Sequence, residues 1–459
     1  MKTATLERTF EIARRLLELE QRSDRSPPTS PESLREEIGL SLPREGLGEA
    51  IAFDKLAEAV LRSPSTSNRR FFNQLFAGRE PLATSAEMLS ALLNNSMYTF
   101  KAAGVHILIE LELVRKMGEM VGFDDADGTF VPGGSMANYV ALLIAAGEDD
   151  EHFRERGLSG PRRRIYTSAD CHYSIRKGAG MAGLGRGNVQ TIPVDSEGRM
   201  IPEELRLAIL ADRAEGHRPL CIVGTAGTTV AGAFDPLDAL AEIALEEGLW
   251  FHVDAAFGGT LLMHPERRRQ LEGAERADSF AWDAHKMMGA PLSCAALLLP
   301  RKGTLQRHFD EAADYLYQQD DENLNLGTKS IQCGRRNDAL KRWAAWQQLG
   351  DDGWAQRVER QLELARYARD WVVREPRLEL VIEPQSVNVC FAVEGVRSDE
   401  LCQRLSASGA AQVGHGLVGG RQIVRLVTSN PALDESDLDV FFEELLAQAD
   451  AMAPSSLRT

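Results

Sequence analysis

Lys286 is the residue whose surroundings first indicate chemistry. It stands between Trp282 and the pair Met287 and Met288, and the apolar stretch 294–299 follows. An amine among apolar side chains is poorly solvated, which favours its neutral and nucleophilic form. A neutral amine attacks carbonyl groups and forms a Schiff base. Taken alone, this stretch is also typical of a surface lysine at the end of a strand.

Two glycine-containing stretches have the composition of an anion site. The stretch 132–138 reads Pro-Gly-Gly-Ser-Met-Ala-Asn and opens a predicted helix, whose free N-terminal amides attract phosphate. The stretch 224–229 reads Gly-Thr-Ala-Gly-Thr-Thr, and its hydroxyls are able to hold a phosphate or a ring substituent. Each pattern is also typical of an ordinary turn, and neither is a P-loop or a dinucleotide fingerprint.

One carboxylate and two histidines lie where ligands of an open α/β sheet collect, at the ends of strands. Asp254 ends an apolar stretch and precedes small residues, which predicts a buried carboxylate facing a cationic group. His252 shares its strand face, so a metal pair is an alternative, although no third ligand has a suitable spacing. His172 follows the predicted strand at Ile165, where a lone histidine is more often structural than catalytic.

The elements that must position these residues read as an alternation of strands and helices. Predicted strands cover residues 164–167, 189–192, 220–223, 249–253, 278–281 and 294–299, and helices such as 202–213 and 236–247 lie between them. Buried-looking strands in such an alternation are typical of a sheet with helices on both faces. The pattern predicts an α/β fold with a mostly parallel sheet.

Three regions of the chain differ in pattern. Residues 1–65 hold sparse amphipathic helices, which we expect to pack on the main body or on a dimer partner. Residues 66–340 form the predicted large domain. Residues 341–459 begin with a long helix and change to an α+β pattern, with strands at 378–382, 386–393 and 422–427 and a closing helix at 434–452, and form a predicted small domain.

Composition limits the partners and the compartment. The 459 residues carry a net charge of −16, which argues against a nucleic acid or an anionic membrane surface as the partner. No apolar run is long enough to span a bilayer, and the N-terminal stretch lacks the apolar core of a signal peptide. Six cysteines without a Cys-x-x-Cys pair predict neither a disulfide framework nor a zinc site. We therefore expect a cytoplasmic protein without a metal.

Taken together, the motifs resemble the group II pyridoxal-phosphate-dependent amino acid decarboxylases, which include glutamate, sulfinoalanine, aspartate and aromatic amino acid decarboxylases. The matching stretches occur in order at 71–78, 132–138, 172–178, 227–236, 252–256, 285–289, 332–335 and 424–431. The resemblance implies an aspartate-aminotransferase-like large domain (fold type I), with an N-terminal helical segment and a small C-terminal α+β domain.

The resemblance also implies a cofactor site. Lys286 would hold pyridoxal phosphate as an internal aldimine, Asp254 would keep the pyridine nitrogen protonated, and His172 would stack on the ring. The other cofactor contacts that the resemblance implies are Ser135, Met136, Thr225, Ala256, Asp283, His285 and Gly334.

A tyrosine on a mobile loop completes the implied machinery. Alignment from Lys286 without gaps places it at Tyr315, which would protonate the carbanion at the substrate's Cα. In this family the loop usually acts across a subunit interface, so an obligate homodimer is implied. Relatives that divert to oxidative deamination tend to replace this tyrosine or the stacking histidine, so decarboxylation is expected rather than oxidase or transaminase chemistry. A catalytically silent binding subunit is a further alternative, against which the retained residues argue.

The implied substrate pocket favours a short acidic L-amino acid. Arg425 and Gln74 match positions that contact a substrate carboxylate, which an arginine fork suits. Phe76, Ser96 and Tyr98 match positions that line the pocket. A bulky Phe76 shortens the pocket, so we expect aspartate or sulfinoalanine as substrate. Glutamate is the alternative, because one methylene group contributes only about 1–3 kcal/mol of discrimination.

Three residues depart from the family pattern. Lys101 and Gly104 stand where relatives typically have Glu and Pro. The change of charge and the loss of a ring predict an altered or larger acid, such as a β-substituted aspartate or an aspartyl unit bound to a carrier protein. Asp283 stands where Asn is common.

Overall fold

Two β-sheets organise the chain in the computed structural model, which describes residues 3–21, 30–311 and 324–452. The strands are β1 (Phe71–Phe72), β2 (Asp127–Val131), β3 (Arg163–Ser168), β4 (Val189–Ile192), β5 (Arg218–Thr225), β6 (Trp250–Asp254), β7 (Ser279–Asp283), β8 (Ala295–Leu299), β9 (Leu378–Ile382), β10 (Asn388–Val393), β11 (Gln412–Val418) and β12 (Arg421–Val427). The α-helices are α1 (Thr3–Glu20), α2 (Pro31–Ile38), α3 (Glu49–Leu61), α4 (Pro81–Leu93), α5 (Phe100–Ala103), α6 (Val105–Val121), α7 (Gly134–Asp149), α8 (Phe153–Arg156), α9 (Ser174–Met181), α10 (Pro202–Ala214), α11 (Leu237–Glu247), α12 (Thr304–Phe309), α13 (Ala339–Arg374), α14 (Ser398–Ser408) and α15 (Glu435–Met452).

The larger sheet has the strand order β2-β8-β7-β6-β5-β3-β4. Strand β8 pairs antiparallel with both of its neighbours, and the other pairs in this sheet are parallel. The carboxyl ends of β2, β3, β5, β6 and β7 therefore meet at one edge of the sheet. The predicted mostly parallel α/β sheet is confirmed.

Helices cover both faces of this sheet, because successive strand residues point to opposite faces and both kinds are apolar. Ile165 packs in a cluster with Leu142 of α7 and Ile175 of α9. The next residue, Tyr166, belongs to the core on the other face, together with Ile209 of α10. The sheet is thus a buried layer, and its open edge is the place where a ligand can enter.

The smaller sheet has the strand order β1-β11-β12-β10-β9, and α14, α15 and the second half of α13 cover it. Strand β1 belongs by sequence to the predicted large domain, but it pairs in parallel with Gln412 and Val413 of this sheet. The sequence did not predict β11, whose glycines weaken the strand pattern. They permit close contacts, since a Cβ atom at Gly414 would lie 2.6 Å from Asn73 Oδ1, and one at Gly416 would lie 2.8 Å from Val230 Cγ1.

Helix α13 connects the two cores. Its backbone is interrupted at Gly350, which has φ 61° and ψ −175°. Before this glycine Ala345 packs in the core of the large sheet, and after it Ala368 packs in the core of the small sheet. Within the described ranges, no helix has both the length and the apolar character needed to cross a membrane.

The first three helices add little to either core. Within the described residues α1 and α2 bury no side chain, and α3 buries only Ala57. An ion pair between Glu20 and Arg79 ties α1 to the body. Apolar side chains such as Phe10 and Ile51 remain exposed, so this segment keeps a free apolar surface.

A buried ion pair connects three segments of the large domain near its sheet. Glu110 of α6 and Arg335 lie 2.7 Å apart, and both side chains are almost fully buried. Glu110 also accepts a hydrogen bond from the backbone of Phe130 in β2. The backbone of Arg335 binds the hydroxyl of Ser96 and the amide of Met97. One ion pair therefore joins α6, β2 and the segment between α4 and α5.

We expect Arg335→Met to lower the free energy of unfolding by about 3–5 kcal/mol, because it leaves the Glu110 carboxylate buried without its cation. Denaturant unfolding of both proteins measures the difference. Arg115→Met is the matched control, since Arg115 lies on α6 and pairs with Glu112 at the surface, and we expect it to unfold like the wild type. Equal midpoints for Arg335→Met and wild type would contradict the structural role of the pair.

Candidate functional site

The open edge of the large sheet borders a cavity of about 410 Å³. Its walls come from the segments that follow β2 and β3, from the ends of β5, β6 and β7, and from the loop between β7 and β8. The sequence-predicted residues that line it are Phe76, Ser135, His172, Thr225, Asp254, Ala256, Asp283, His285 and Lys286. Residues far apart in the chain are close together here because parallel strands end at the same edge.

The amine of Lys286 faces this cavity, which both polar and apolar side chains line. Its side chain is 22 % exposed, and its Nζ lies 3.4 Å from Oδ2 of Asp283. Trp282, Met287 and Met288, which the sequence placed around the amine, are instead buried in the core of the large sheet. None of these three side chains lines the cavity, because neighbours along a strand and turn point in different directions.

The Asp254 carboxylate is held at the end of β6. The residue is 5 % exposed. Its Oδ2 accepts a hydrogen bond of 2.7 Å from Nδ2 of Asn138, and its Oδ1 accepts one of 3.2 Å from the amide of Ala256. Across the sheet it pairs with Thr225 at the end of β5. The buried carboxylate thus has a fixed orientation beside the cavity.

A chain of side-chain hydrogen bonds extends from Asn138 away from the cavity. The amide nitrogen of Asn138 faces Asp254, so the amide oxygen of Asn138 faces Nε2 of His252, which lies 2.9 Å away. The other ring nitrogen of His252 lies 2.8 Å from Oγ of Ser279, which accepts a hydrogen bond from Trp250. Burial lowers the pKa of the His252 ring to about 4, so the ring is neutral. The alternative of a metal pair with Asp254 is wrong, since protein groups bind both ring nitrogens.

The same network fixes the ring of His172. Its Nδ1 lies 2.8 Å from Oγ of Ser174 and also accepts from the Ser174 amide. The Ser174 hydroxyl oxygen in turn accepts a hydrogen bond of 2.9 Å from Asn138. Burial lowers the pKa of His172. The ring is therefore neutral, with Nδ1 as acceptor and its proton on Nε2.

The N-terminus of α7 lies beside Lys286 and is partly occupied by protein atoms. The amide of Gly134 donates a hydrogen bond of 3.1 Å to Oδ2 of Asp283. The Met136 amide, predicted to bind phosphate, donates to the carbonyl of Gly133 at 2.9 Å, and Met136 does not line the cavity. Ser135 is exposed and does line it.

His285 and Thr225 contribute polar atoms from two sides of the cavity. Nε2 of His285 lies 3.4 Å from Asp283, and burial lowers the pKa of the His285 ring. The Thr225 amide donates to Oδ2 of Asp235 at 2.7 Å. Burial raises the pKa of the Asp235 carboxyl to about 7. The hydroxyl of Thr225 is buried and has no hydrogen-bond partner among the described residues.

Most of the residues predicted to bind substrate do not line the cavity of a single chain. Gln74 is exposed, and Ser96 binds the backbone of Arg335. Tyr98 is half-buried and accepts a backbone hydrogen bond from Gly327. Gly334, predicted to contact the cofactor, is also exposed and outside the cavity wall. Tyr315 lies outside the described residues.

Arg425 stands directly behind the wall. Its guanidinium donates hydrogen bonds to the backbone carbonyls of Thr229, which lines the cavity, and Asn73. Its Nε is buried without a partner among the described residues. Arg425, which the sequence predicts to bind a substrate carboxylate, therefore also connects the small sheet to the loop after β5.

The residues that depart from the family pattern have separate structural settings. Gly104 has φ 55° and ψ −127° between α5 and α6, a conformation that proline cannot adopt because its ring fixes φ near −65°. Lys101 is exposed on α5. Neither residue lines the cavity.

The sequence reasoning gave no site role to Asn138, Ser174 and Ser279. Each is a polar residue at a buried position, and hydrogen bonds join them to His172, Asp254 or His252. Asn138 is the residue among them that the sequence could have revealed, because it places an amide on the otherwise apolar buried face of α7.

Comparisons with known proteins show which family and fold the chain resembles. Residues 31–394 match the profile of the pyridoxal-dependent decarboxylase conserved domain. The chain is 40% identical over 438 residues to cysteine sulfinic acid decarboxylase of Mus musculus, covering 90% of this chain and 89% of that protein. It is 38% identical over 438 residues to acidic amino acid decarboxylase GADL1 of Mus musculus, covering 90% and 80% of the two chains.

A solved structure has the same fold. The crystal structure of mouse CSAD in apo form superposes with a TM-score of 0.93 at 36% identity, covering 97% of this chain and 98% of that one. The likeness extends over both sheets and is not confined to the motifs around the cavity.

We expect the protein without added cofactor to lose stability as the pH falls from about 6.5 towards 4. The ring of His252 stays neutral in the folded chain, whereas the unfolded chain takes up a proton near pH 6.5. His252→Gln keeps a hydrogen-bond donor and an acceptor but cannot titrate. The slope of the unfolding free energy against pH should therefore decrease by about 1.4 kcal/mol per pH unit, which corresponds to one proton. Urea unfolding between about pH 7 and 5 measures it.

The matched control is His152→Gln, at an exposed position away from the cavity. It should reproduce the wild-type dependence on pH. If His252→Gln also reproduces it, the neutral buried ring is not the source of the dependence.

Proposed function

The chain belongs to the family of pyridoxal-dependent decarboxylases, and we propose that it releases carbon dioxide from a short acidic L-amino acid and leaves the corresponding amine. The observation that carries the proposal is the cavity in which Lys286, Asp254 and His172 surround one space. The substrates we propose are aspartate, sulfinoalanine, or a β-substituted or carrier-bound aspartate. Relatives named for cysteine sulfinic acid and for acidic amino acids support this class.

The groups around the cavity fit pyridoxal phosphate, the cofactor of this family. Two buried oxygens, Oγ1 of Thr225 and Oδ1 of Asp283, have no partner among the described residues. The N-terminus of α7 suits a phosphate, and the Asp254 carboxylate suits a protonated ring nitrogen. When bound, the cofactor takes up the electron pair that carbon dioxide leaves behind.

We assign roles to residues of the cavity wall and to Tyr315, which lies outside the described residues. Lys286 would hold the cofactor through Nζ. Asp254 would keep the ring nitrogen protonated, and His172 would stack on the ring as a neutral imidazole. Ser135 and His285 would bind the phosphate, while Thr225 and Ala256 would flank the ring. Tyr315 would return a proton to the substrate's Cα.

Two groups support the choice of a short acidic substrate. Phe76 lines the cavity and limits the length of the side chain that fits. Arg425 lies behind the wall with a half-buried side chain, and its positive charge attracts a carboxylate or sulfinate. Burial lowers the pKa of Arg425 below its ordinary value, and a guanidinium group keeps its charge in proteins.

We propose a homodimer whose interface includes α4, α5 and α6. The exposed apolar side chains on these helices are Leu82, Met88, Leu89, Leu92, Leu93, Phe100, Val105 and Leu108. So many exposed large apolar side chains on three successive helices favour a protein interface. Ser96 and Tyr98 lie between α4 and α5, so an interface here accounts for predicted pocket residues that do not line the cavity of one chain. The exposed faces of α1 and α3 would join the same contact.

A cytoplasmic location is part of the proposal. All six cysteines lie within the described ranges and are unpaired. Unpaired thiols are typical of a reducing compartment.

We expect carbon dioxide release from sulfinoalanine or aspartate to exceed release from glutamate. Lys286→Ala should lower kcat by more than about a thousandfold, because the amine that holds the cofactor is lost. Product analysis over sulfinoalanine, aspartate, cysteate, 3-methylaspartate, glutamate and an aspartyl carrier protein tests this. Lys302→Ala, at a surface lysine 70% exposed, is the control and should keep full activity. Ammonia with a keto acid, or no carbon dioxide from any of these acids, would contradict the proposal.

Phe76→Ala should shift the preference towards glutamate. The added space admits one more methylene, so the ratio of kcat/KM for glutamate to that for sulfinoalanine should rise about tenfold or more. Leu292→Ala is the matched control, because Leu292 also lines the cavity but is largely exposed. An unchanged ratio in Phe76→Ala would show that Phe76 does not set the substrate length.

A further inference from the structure

A buried carboxylate occupies the N-terminus of α7, where the phosphate of the cofactor is proposed to bind. Asp283 is 1% exposed, and its Oδ2 accepts a hydrogen bond of 3.1 Å from Gly134, the first residue of α7. Its Oδ1 is buried and has no hydrogen-bond partner among the described residues. A Cβ atom at Gly134 would lie 2.8 Å from Oδ2. This close contact therefore requires glycine, and the carboxylate lines the cavity.

The charged and titratable groups facing Asp283 come from three parts of the fold, since Lys286, His285 and Cys294 share the loop between β7 and β8. Its own loop supplies Lys286 and His285, each 3.4 Å from Oδ2. Helix α13 supplies the buried guanidinium of Arg342, and the segments after β3 and before β8 supply His172 and Cys294. Burial lowers the pKa of both imidazoles, so neither adds a positive charge at neutral pH.

A phosphate at this helix terminus would meet a like charge. Two anions a few ångströms apart in a buried site repel each other by several kcal/mol at an effective dielectric constant of about 20. Such pairs relieve the repulsion when one partner takes up a proton. A carboxylic acid has an O–H group that donates to a phosphate oxygen, which a carboxylate cannot do.

We propose that Asp283 couples cofactor binding to the uptake of one proton. The phosphate binds at the N-terminus of α7 while Asp283 takes a proton from solvent and donates a hydrogen bond to it. This inference rests on the proposed function, since the ligand is the cofactor's phosphate. It follows that affinity for the cofactor falls as the pH rises, because protonated Asp283 is then scarcer.

The test compares pyridoxal phosphate with pyridoxal, which lacks the phosphate. Dissociation constants for both are measured on the full-length protein stripped of cofactor, from about pH 6 to 9, for wild type and Asp283→Asn. The ratio of the pyridoxal to the pyridoxal phosphate constant reports the contribution of the phosphate. In Asp283→Asn this ratio should be at least about tenfold higher at about pH 8 and change less with pH. The phosphate's own titration is common to both proteins.

Asp338→Asn is the matched control. Asp338 is a buried carboxylate 2.7 Å from Lys341, outside the cavity wall, and the variant should keep the wild-type ratio. An equal ratio in Asp283→Asn and wild type at every pH overturns the inference. If wild type binds neither compound, the cofactor site itself is overturned.

A second measurement needs no variant. Calorimetry in buffers of different ionisation enthalpy gives the number of protons taken up on binding. Wild type should take up about one proton more with pyridoxal phosphate than with pyridoxal, after correction for the free phosphate. Equal uptake overturns the inference even if Asp283→Asn fails to fold.

Discussion

The hydrogen bond between Asn138 and Asp254 is the contact on which the site depends. It joins α7 to the end of β6, and the same amide also binds Ser174 and His252. A buried carboxylate is costly unless donors surround it, and removing one partner leaves the other unsatisfied. One amide therefore sets the orientation of the proposed ring partner and the tautomers of His172 and His252.

The topology of the large sheet brings the residues of this contact together. Parallel strands end at one edge, so residues after β2, β3, β5, β6 and β7 meet there without any long loop. Strand β8 runs in the opposite direction and begins at that edge, which leaves Lys286 in the short connection from β7. Helix α13 then carries the chain to the small sheet, whose Arg425 approaches the cavity from behind.

The sequence predicted the mostly parallel sheet and the residues at the strand ends, because apolar runs and strand-end positions are local signals. It missed β11, where Gly414 and Gly416 obscure the strand pattern. It did not predict that Trp282, Met287 and Met288 point into the core instead of towards the Lys286 amine, since side-chain directions at a turn depend on the folded backbone. The bonds of Asn138 to Asp254 and His252 join residues more than a hundred positions apart, and no local pattern encodes such pairs. Ser96 and Tyr98 stay outside the cavity of one chain, so their role depends on the proposed second copy.

The most direct test of the central claim is to locate the covalent attachment of the cofactor. The protein loaded with pyridoxal phosphate is reduced with borohydride, digested and mapped by mass spectrometry. We expect a phosphopyridoxyl group on Lys286, and loss of the label when sulfinoalanine or aspartate is added before reduction, because the substrate amine takes the place of the lysine. A label on another lysine, or a label on Lys286 that every acidic amino acid leaves unchanged, would contradict it.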